Sequence, residues 1–404
     1  MRDTTLFKLD KELISELIEL RHDLHRHPEL SGQEYETQKR IATFLERHGI
    51  HSTPALHTGL IVNLQGTGPS TQQSDEDAGV VLLRADIDAL PITEQTDLPQ
   101  ASQNPAIMHA CGHDTHASML AVALVVLHRY RTEWNGRVRG IFQPAEEVGT
   151  HTMTLVEDGI MDDVSNVFAL HVMPELPFGT VGCNPDAVMA GSEDFVMKLT
   201  GPGGHGGRPH LGIDGVLAGT AMVQALQAVV SREINPLDPA VLTIGAFNAG
   251  SRSNILAPEA ELQGNMRFFT NEVGDQMKEK INRIAENIAD AYRMELNLHY
   301  SPRLEPVTNS AGLTADLWHY LEDVAASQHA SETNIPSPVH IEPLTVSEDF
   351  SRYQAHAPGV MAFLGTAIDG DPMSAMPLHD ASFYPPDKVL AYGSALHIAA
   401  VMCF

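Results

Sequence analysis

Continuous apolar runs that end in charged side chains are the feature of this sequence that most restricts its fold. The run GVVLLRADI, at 79–87, lacks the polar alternation of a half-exposed strand and is typical of a strand buried on both faces. RVRGIFQ at 137–143 and NVFALHV at 166–172 are also predicted strands, and a long apolar helix is predicted over 116–131. Alternating strands and helices predict an α/β fold with a doubly wound, mainly parallel sheet.

The order of the predicted strands and helices changes near Asp194 and returns to the α/β type near residue 305. Between these points the predicted elements follow the order βαββαβ, with helices near 213–231 and 272–292, which indicates a ferredoxin-like α+β unit. A chain of 404 residues is long enough to form two hydrophobic cores. We therefore predict one α/β domain formed by 1–187 and 305–404, and a second domain, 188–304, inserted into it.

The acidic composition limits the kinds of partner that this chain can bind. Asp and Glu number 52 against 25 Lys and Arg, and the resulting formal charge of −27 repels nucleic acids and anionic membranes. The N-terminal segment is predicted to be an amphipathic helix rather than a secretory signal, and no apolar run predicts a membrane span. Cys111, Cys183 and Cys403 suggest no disulfide framework, so we expect a cytoplasmic protein. A polar stretch at 69–79 is predicted to be a surface loop.

Polar side chains follow the predicted strands where each of them ends. Ligands of an open parallel sheet bind beyond the carboxyl ends of its strands, so these side chains are expected to lie close together. They combine thiol, imidazole and carboxylate groups, which is the donor mixture that a borderline divalent metal prefers. The candidate residues are Asp86, Asp88, Cys111, His113, Glu146, Glu147 and His171.

Two of these features have competing interpretations. Cys111 could be a metal ligand, the nucleophile of a Cys/His pair with His113, or an inert buried thiol; its polar surroundings favour the metal ligand. Glu146 and Glu147 could form part of a solvated surface. Alternatively, one of them could bind metal while its neighbour transfers protons.

Eight short motifs occur in the order found in one family of enzymes. They are RADIDALP, HACGHDTHASML, FQPAEE, ALHV, GGHGGRPH, AGSRSN, SEDF and PLHD. From about residue 15 to the C-terminus, the chain resembles the dinuclear metallo-amidohydrolases that include aminoacylases, hippurate hydrolases and auxin-conjugate (IAA-amino acid) hydrolases.

The resemblance implies a site with two divalent ions per subunit, which could be Mn²⁺, Zn²⁺, Ni²⁺ or Co²⁺. Asp86 matches a metal-binding histidine of more distant relatives and is not expected to be a ligand here, and His116 is expected to orient ligands. The implied metal ligands are Cys111, which bridges the ions, and His113, Glu147, His171 and His379. The resemblance also implies that Glu146 is the general base and that Asp88 orients the bridging ligand. In the inserted domain, His205 matches a histidine that reaches the substrate carbonyl across a dimer interface, and Asn254 and Arg267 match residues that hold a substrate carboxylate.

The resemblance also implies the reaction. A metal-bridging hydroxide is expected to cleave the amide bond of a small N-acyl or N-aroyl amino acid and release a carboxylic acid and a free amino acid. A metallo-dipeptidase or carboxypeptidase, and a metal-binding protein without catalysis, remain alternatives. Residues 188–304 are then expected to act as a lid and to form a homodimer, and no nucleic-acid or membrane partner is expected. Two departures from the family pattern, the placing of Pro258 and the segment 94–110, affect the loop of Asn254 and the acyl side of the pocket.

Overall fold

The computed structural model of the chain describes residues 5–69, 79–149, 151–326 and 333–404. Its backbone forms two compact units: one comprises 1–186, 308–342 and 352–404, and the other comprises 187–307 and 343–351. Except for its two end residues, the predicted loop at 69–79 lies outside the described residues. Among the described helices, none is long and apolar enough to cross a membrane.

The elements are numbered along the chain. The helices are α1 (Lys11–Arg26), α2 (Tyr35–Arg47), α3 (His113–Arg129), α4 (His151–Glu157), α5 (Gly215–Leu226), α6 (Asn271–Ala291), α7 (Ala311–Ala325), α8 (Ser351–Gln354) and α9 (Val389–Cys403). The strands are β1 (Thr53–Ala55), β2 (Gly59–Thr67), β3 (Val80–Asp86), β4 (Asn135–Gln143), β5 (Val164–Pro177), β6 (Thr180–Gly182), β7 (Asp186–Met189), β8 (Gly191–Thr200), β9 (Gly204–His205), β10 (Ala240–Ala249), β11 (Ile255–Leu256), β12 (Glu259–Phe268), β13 (Glu295–Tyr300), β14 (Val307–Asn309), β15 (Ser337–Val339) and β16 (Gly359–Ala367).

The first unit contains an eight-stranded sheet in the order β1-β2-β4-β3-β5-β16-β6-β15. Its centre, β4-β3-β5-β16, is parallel, while β1 and β2 are added antiparallel on one side and β6 pairs antiparallel with β16 on the other. All seven residues of β3 are buried, as expected for a central strand covered on both faces. The prediction of a mainly parallel α/β sheet is confirmed.

Helix α3 is the most buried helix of the first unit and begins directly at a candidate ligand, His113. Its residues 113–127 are all buried, because it packs against α1, α9 and β3. A helix that is apolar on every side belongs in a core rather than on a surface. The first turn of α3 is therefore fixed at the edge of the sheet where the candidate ligands gather.

The second unit contains a four-stranded antiparallel sheet in the order β10-β12-β8-β13. Helices α5 and α6 pack against this sheet and form a separate hydrophobic core with it. The order βαββαβ agrees with the ferredoxin-like prediction, although the first helix is shorter than 213–231 and ends at Leu226 before a π-helical turn.

The boundary of the second unit differs from 188–304. Residues 343–351, which the sequence analysis assigned to the α/β domain, belong to the second unit. The reason is a pair of backbone hydrogen bonds, from Ala190 N–H to the carbonyls of Leu344 at 2.9 Å and Val346 at 3.0 Å.

Candidate metal centre

The carboxyl ends of three neighbouring strands, β4, β3 and β5, supply most of the site. Asp88 lies two residues beyond β3, and Glu146 and Glu147 follow β4 in a short 3₁₀ helix that spans Glu146–Val148. His171 lies within β5, two residues past Ala169, where the pairing with β3 ends. The topology therefore brings together residues that are far apart in the chain.

The Cys111–His113 segment is a tight turn that leads into α3. Gly112 between them has a φ of +85°, and a Cβ at this position would lie 2.7 Å from Val172 Cγ2. Only glycine meets both conditions at low cost. From the other end of the chain, His379 donates its backbone N–H to Ala110 O at 2.9 Å, and its φ of 67° is unusual for a residue with a side chain.

The candidate donors form two groups that share one sulfur atom. Cys111, His113 and His171 form one group, and Cys111, Glu147 and His379 form the other; within each group the donor atoms lie within 4.8 Å of one another. Each group offers the mixture of sulfur, nitrogen and oxygen donors that suits a borderline divalent cation. All five predicted ligands therefore lie together in the first unit.

Hydrogen bonds orient the imidazoles of His113 and His171. His113 Nδ1 lies 3.0 Å from Asp88 Oδ1, and His171 Nδ1 donates to the carbonyl of Val172 at 2.7 Å. In each ring the Nε2 atom is thereby left to face the donor group, as in metal sites where a carboxylate or carbonyl fixes the ligand tautomer. His171 Nε2 lies 3.5 Å from Cys111 Sγ.

Two buried atoms of the site indicate that a cation fits there. Among the described residues, His113 Nε2 and Glu147 Oε1 are buried without a hydrogen-bond partner, and they lie 3.9 Å apart. Unpaired buried polar atoms are costly unless another group satisfies them. A metal ion between these two donors would satisfy both.

The pKa shifts of the site show which donors hold a proton that a bound cation would displace. Burial opposes a charge on His113, but Asp86 and other neighbouring groups outweigh it and hold its pKa well above the usual value. Burial, together with His116, keeps the pKa of His171 well below its usual value, so its ring stays neutral. Burial also raises the pKa of the Cys111 thiol to about 12, so a bound metal would have to displace its proton.

Asp86 and His116 form a supporting chain beside the donor groups. Asp86 accepts a hydrogen bond from Arg84 Nη1 at 2.7 Å and lies 2.7 Å from His116 Nδ1. His116 Nε2 in turn accepts the backbone N–H of Val172 at 3.0 Å. Because protein groups occupy both ring nitrogens, His116 is suited to orienting the site rather than to ligation. Sequence reasoning missed Arg84, which is buried within the apolar run of β3.

A buried polar network next to His113 was also missed. Asp114 lies 2.8 Å from Arg21 Nε and 2.9 Å from His25 Nδ1, and His25 also lies 3.3 Å from Glu94. Arg21 and His25 are four positions apart and so share one face of α1, a spacing that could have indicated a common buried partner.

The remaining predicted residues lie in the second unit. His205 and Asn254 are neighbours there, since β9 pairs with β11 and Gly206 N–H donates to Asn254 O at 2.8 Å. His205 Nδ1 accepts the N–H of Gly207 at 2.9 Å, which leaves Nε2 to carry the proton of the neutral ring. Arg267 has other partners: its Nε donates to Asn265 Oδ1 at 2.7 Å and its Nη1 to Ser347 Oγ at 2.6 Å.

A mainly parallel α/β sheet with thiol, imidazole and carboxylate donors at its strand ends indicates a metal-binding protein of the α/β class. The chain belongs to the peptidase family M20/M25/M40, whose family model matches residues 82–402. N-acetylcysteine deacetylase from Bacillus subtilis is 39% identical over 359 residues, which cover 88% of this chain and 90% of that protein. An IAA-amino acid hydrolase from Arabidopsis thaliana is 33% identical over 382 residues, which cover 94% of this chain and 84% of that one.

The fold has a close counterpart among solved structures. A protein from Bacillus subtilis, described as a dinuclear metal-binding peptidase of the M20 family, superimposes with a TM-score of 0.82 at 32% identity. The match covers 98% of this chain and 99% of that one. The family resemblance inferred from the motifs is confirmed, and the chain is a metallo-amidohydrolase.

Proposed function

We propose that this enzyme hydrolyses the amide bond of small N-acyl or N-aroyl amino acids to a carboxylic acid and a free amino acid. Two relatives, a deacetylase of N-acetylcysteine and a hydrolase of IAA-amino acids, are named for such bonds. The observation that carries the proposal is the position of Glu146, whose carboxylate lies within 4.8 Å of the donor atoms of His113 and Glu147. A general base is thus available beside a group of metal donors.

Cys111, His113, Glu147, His171 and His379 would hold two divalent ions. The membership of Cys111 in both donor groups supports its role as the bridging ligand. Mn²⁺, Zn²⁺, Ni²⁺ and Co²⁺ all accept these donors. When bound, such ions polarise a carbonyl oxygen and lower the pKa of a water molecule from that of bulk water towards about 7.

The residues of the chain would transfer the protons and hold the ligands in place. Glu146 accepts the proton of the attacking water on its carboxylate and passes it to the leaving nitrogen. Asp88 keeps the ring of His113 oriented through the contact to Nδ1 at 3.0 Å. Burial opposes ionisation of Asp88, but its hydrogen bond with His113 and further contacts hold its pKa below the usual value, so it remains a carboxylate.

The second unit would act as the lid and contribute to substrate binding. The neutral tautomer of His205 presents an Nε2–H, which suits a donor to the oxygen of the substrate carbonyl. The guanidinium of Arg267 and the side chain of Asn254 would bind the substrate carboxylate. Burial lowers the pKa of Arg267, and pairing with a carboxylate would oppose that shift.

A homodimer formed through the second unit accompanies this proposal. Within the described residues β10 pairs with β12 alone, so its other edge is available to a second copy. In such a dimer, the partner subunit's His205 would act on the substrate. Three free cysteines, one of them a proposed ligand that must stay reduced, favour the cytoplasm.

A dipeptidase or carboxypeptidase activity is the second candidate, since the matched solved structure is described as a peptidase. The two candidates share their chemistry and differ in the group on each side of the scissile bond. We would remove metal with a chelator, restore Mn²⁺, Zn²⁺, Ni²⁺ or Co²⁺ singly, and assay N-acyl amino acids and dipeptides in parallel. Preferential turnover of dipeptides would replace the first candidate with the second.

Replacement of the proposed base tests the reaction itself. Glu146→Gln should lower kcat by about 10²- to 10⁴-fold, because that is the usual contribution of a positioned acid–base group. Its metal content should stay at the wild-type level, because Glu146 is not among the five proposed ligands. Glu157→Gln, at an exposed position on α4, is the control. Wild-type kcat in Glu146→Gln would remove the assignment, and no metal-dependent turnover by the wild type would favour a metal-binding protein without catalysis.

A further inference from the structure

Glu34 is a fully buried carboxylate that the proposed mechanism does not use. It lies at the start of α2, yet its side chain makes no capping hydrogen bond to that helix. Instead, Glu34 Oε1 accepts two backbone N–H groups at 2.9 Å, one from Gly32 in its own loop and one from Ala145. The second partner is 111 residues away in the sequence and directly precedes Glu146.

Ala145 has a conformation that needs support. Its φ of 59° and ψ of 41° place it in the left-handed region, which is unfavourable for a residue with a Cβ. Such a conformation persists where the surrounding structure fixes it, and it is common beside functional groups. At Ala145 the chain leaves β4 and turns into the short helix of Glu146 and Glu147.

A second backbone amide of this turn, that of Glu147, also donates to a carboxylate. Glu147 donates its backbone N–H to Asp88 Oδ2 at 3.1 Å, and Ser31 Oγ donates to the same oxygen at 2.7 Å. The loop that carries Ser31 and Glu34 is itself fixed to the sheet region, since Ala89 N–H donates to Glu29 O at 2.9 Å. Glu34 is thus a rigid support rather than a mobile surface group.

We propose that Glu34 is a positioning residue for the reaction: it holds the Ala145 turn so that Glu146 and Glu147 keep the directions needed for proton transfer and metal binding. The inference rests on the proposed function, because it acts through the roles assigned to Glu146 and Glu147. The contribution of Glu34 lies in its acceptor oxygen rather than in its charge. Burial raises the pKa of Glu34, which means that the surrounding protein does not favour its charged form.

The same loop offers a matched control in Glu29. Glu29 Oε2 also accepts two hydrogen bonds, from Thr37 N–H at 2.8 Å and Thr37 Oγ1 at 2.9 Å. Both partners belong to α2 rather than to the catalytic turn. Glu29→Ala therefore disturbs this loop to a similar extent without releasing Ala145.

The experiment compares Glu34→Ala, Glu34→Gln and Glu29→Ala by kcat, KM, melting temperature and affinity for Co²⁺ alone. Co²⁺ affinity is measured by competition with a chelator and does not depend on turnover. Glu34→Ala should lose about 10- to 100-fold in kcat at saturating Co²⁺ and a similar factor in Co²⁺ affinity, as is usual when support of a metal site is removed. Glu34→Gln keeps Oε1 and should recover most of both. Glu29→Ala should lose melting temperature but keep both values.

Equal kcat and Co²⁺ affinity in Glu34→Ala and Glu29→Ala would overturn the proposal, as would failure of Glu34→Gln to restore either value. If Glu34→Ala does not fold, Glu34→Asp takes its place, since one methylene less prevents the carboxylate from reaching both amides. Failure of the proposed function gives a different pattern. In that case Glu146→Gln does not lower kcat, or no substrate is turned over, while the Co²⁺ affinities still report on Glu34.

Discussion

Several histidines of the first unit differ in what their ring nitrogens contact, and this difference distinguishes the proposed ligands His113 and His171 from His116. Protein groups occupy both nitrogens of His116. His113 and His171 each have one nitrogen fixed by an oxygen atom and present the other to the donor group. In the part of the chain that the structure describes, neither nitrogen of His109 or His397 has a hydrogen-bond partner, and burial lowers their pKa values to about 4 and about 3. Of these three arrangements, the one found at His113 and His171 suits a metal ligand held in one orientation.

At the residue scale, the two buried cysteines of the first unit provide a matched comparison. Burial raises the pKa of both Cys111 and Cys183 to about 12, but only Cys111 lies among other donors. Cys111→Ser should weaken Co²⁺ binding and abolish the thiolate-to-Co²⁺ charge-transfer absorption, whereas Cys183→Ser should keep both. Because coordination deprotonates the thiol, the metal affinity of the wild type should decrease as the pH is lowered. Titration calorimetry in several buffers should detect the released proton. Persistence of the charge-transfer band in Cys111→Ser would contradict the ligand assignment.

The sequence predicted the donor residues better than their supports. Motifs identified all five donors that the structure gathers, and their roles as ligands stay predictions. Arg84, Arg21 and Glu34 could not be assigned in the same way. Each has a partner that tertiary structure alone brings near: Gln143 for Arg84, Asp114 for Arg21, and the Ala145 amide, 111 residues beyond Glu34. A charged residue in an apolar run indicates a buried partner but does not identify it.

At the element scale, α9 packs over the sheet with apolar side chains on nearly every face. Its one buried imidazole, His397, stacks edge-on against Phe168 with ring centroids 5.4 Å apart. Burial lowers the pKa of His397 to about 3, so the folded protein binds fewer protons at this residue than the unfolded chain does below pH 6.5. The stability that the neutral ring contributes is therefore present above about pH 6.5 and is lost as the pH falls towards the folded-state value.

His397→Leu should remove this pH dependence. Between pH 7 and pH 5, the free energy of unfolding of the wild type should fall by about 2 kcal/mol more than that of His397→Leu. Denaturant unfolding at the two pH values measures the difference. His319→Leu, which removes an exposed imidazole from α7, should leave the wild-type pH dependence in place. An unchanged pH dependence in His397→Leu would show that this ring is not buried in its neutral form.

Long elements could be predicted from local sequence, and short ones could not. The predicted runs at 79–87 and 137–143 correspond closely to β3 and β4. All of β3 is buried, as its apolar run indicates, whereas β4 is continuously buried only from Gly140 to Gln143. Strands β6 and β15 have three residues each and were not predicted. β6 pairs with the edge of β16, and β15 pairs with β6, so their formation depends on the neighbouring strand rather than on a pattern of their own.

At the scale of the whole molecule, the proposed dimer gives the exposed edge of the second unit a role. Val241 and Phe247 are about two-fifths exposed on β10, the outermost strand of its sheet. The double variant Val241→Asp/Phe247→Asp should dissociate the dimer, because it places like charges where apolar surface would be buried. Sedimentation measures this dissociation, and kcat should fall with it because the partner subunit's His205 is lost.

Tyr35→Asp serves as the control, since Tyr35 is an exposed aromatic side chain on α2 in the first unit. It should leave the oligomeric state and kcat unchanged. A fully active monomer of the double variant would contradict action of His205 across a dimer interface. A wild type that sediments as a monomer would contradict the dimer itself.

The sequence indicated two cores, and the structure has two hydrophobic clusters, one in each unit. The assignment of 343–351 could not be made from sequence, because Ala190 binds this segment through backbone groups, which have no residue signature. The proposal that 188–304 forms a lid and a dimer interface concerns contacts with a second copy of the chain, and the pattern of predicted elements does not describe such contacts.

Val172 connects two imidazoles through its main chain, with its N–H bound to His116 and its carbonyl to His171. Both groups are available because the pairing between β3 and β5 ends at Ala169. Truncation of the valine leaves this peptide link intact, so an alanine variant reports on the packing of a side chain that is buried in the core of the first unit. Proline at this position would instead remove the amide that supports His116.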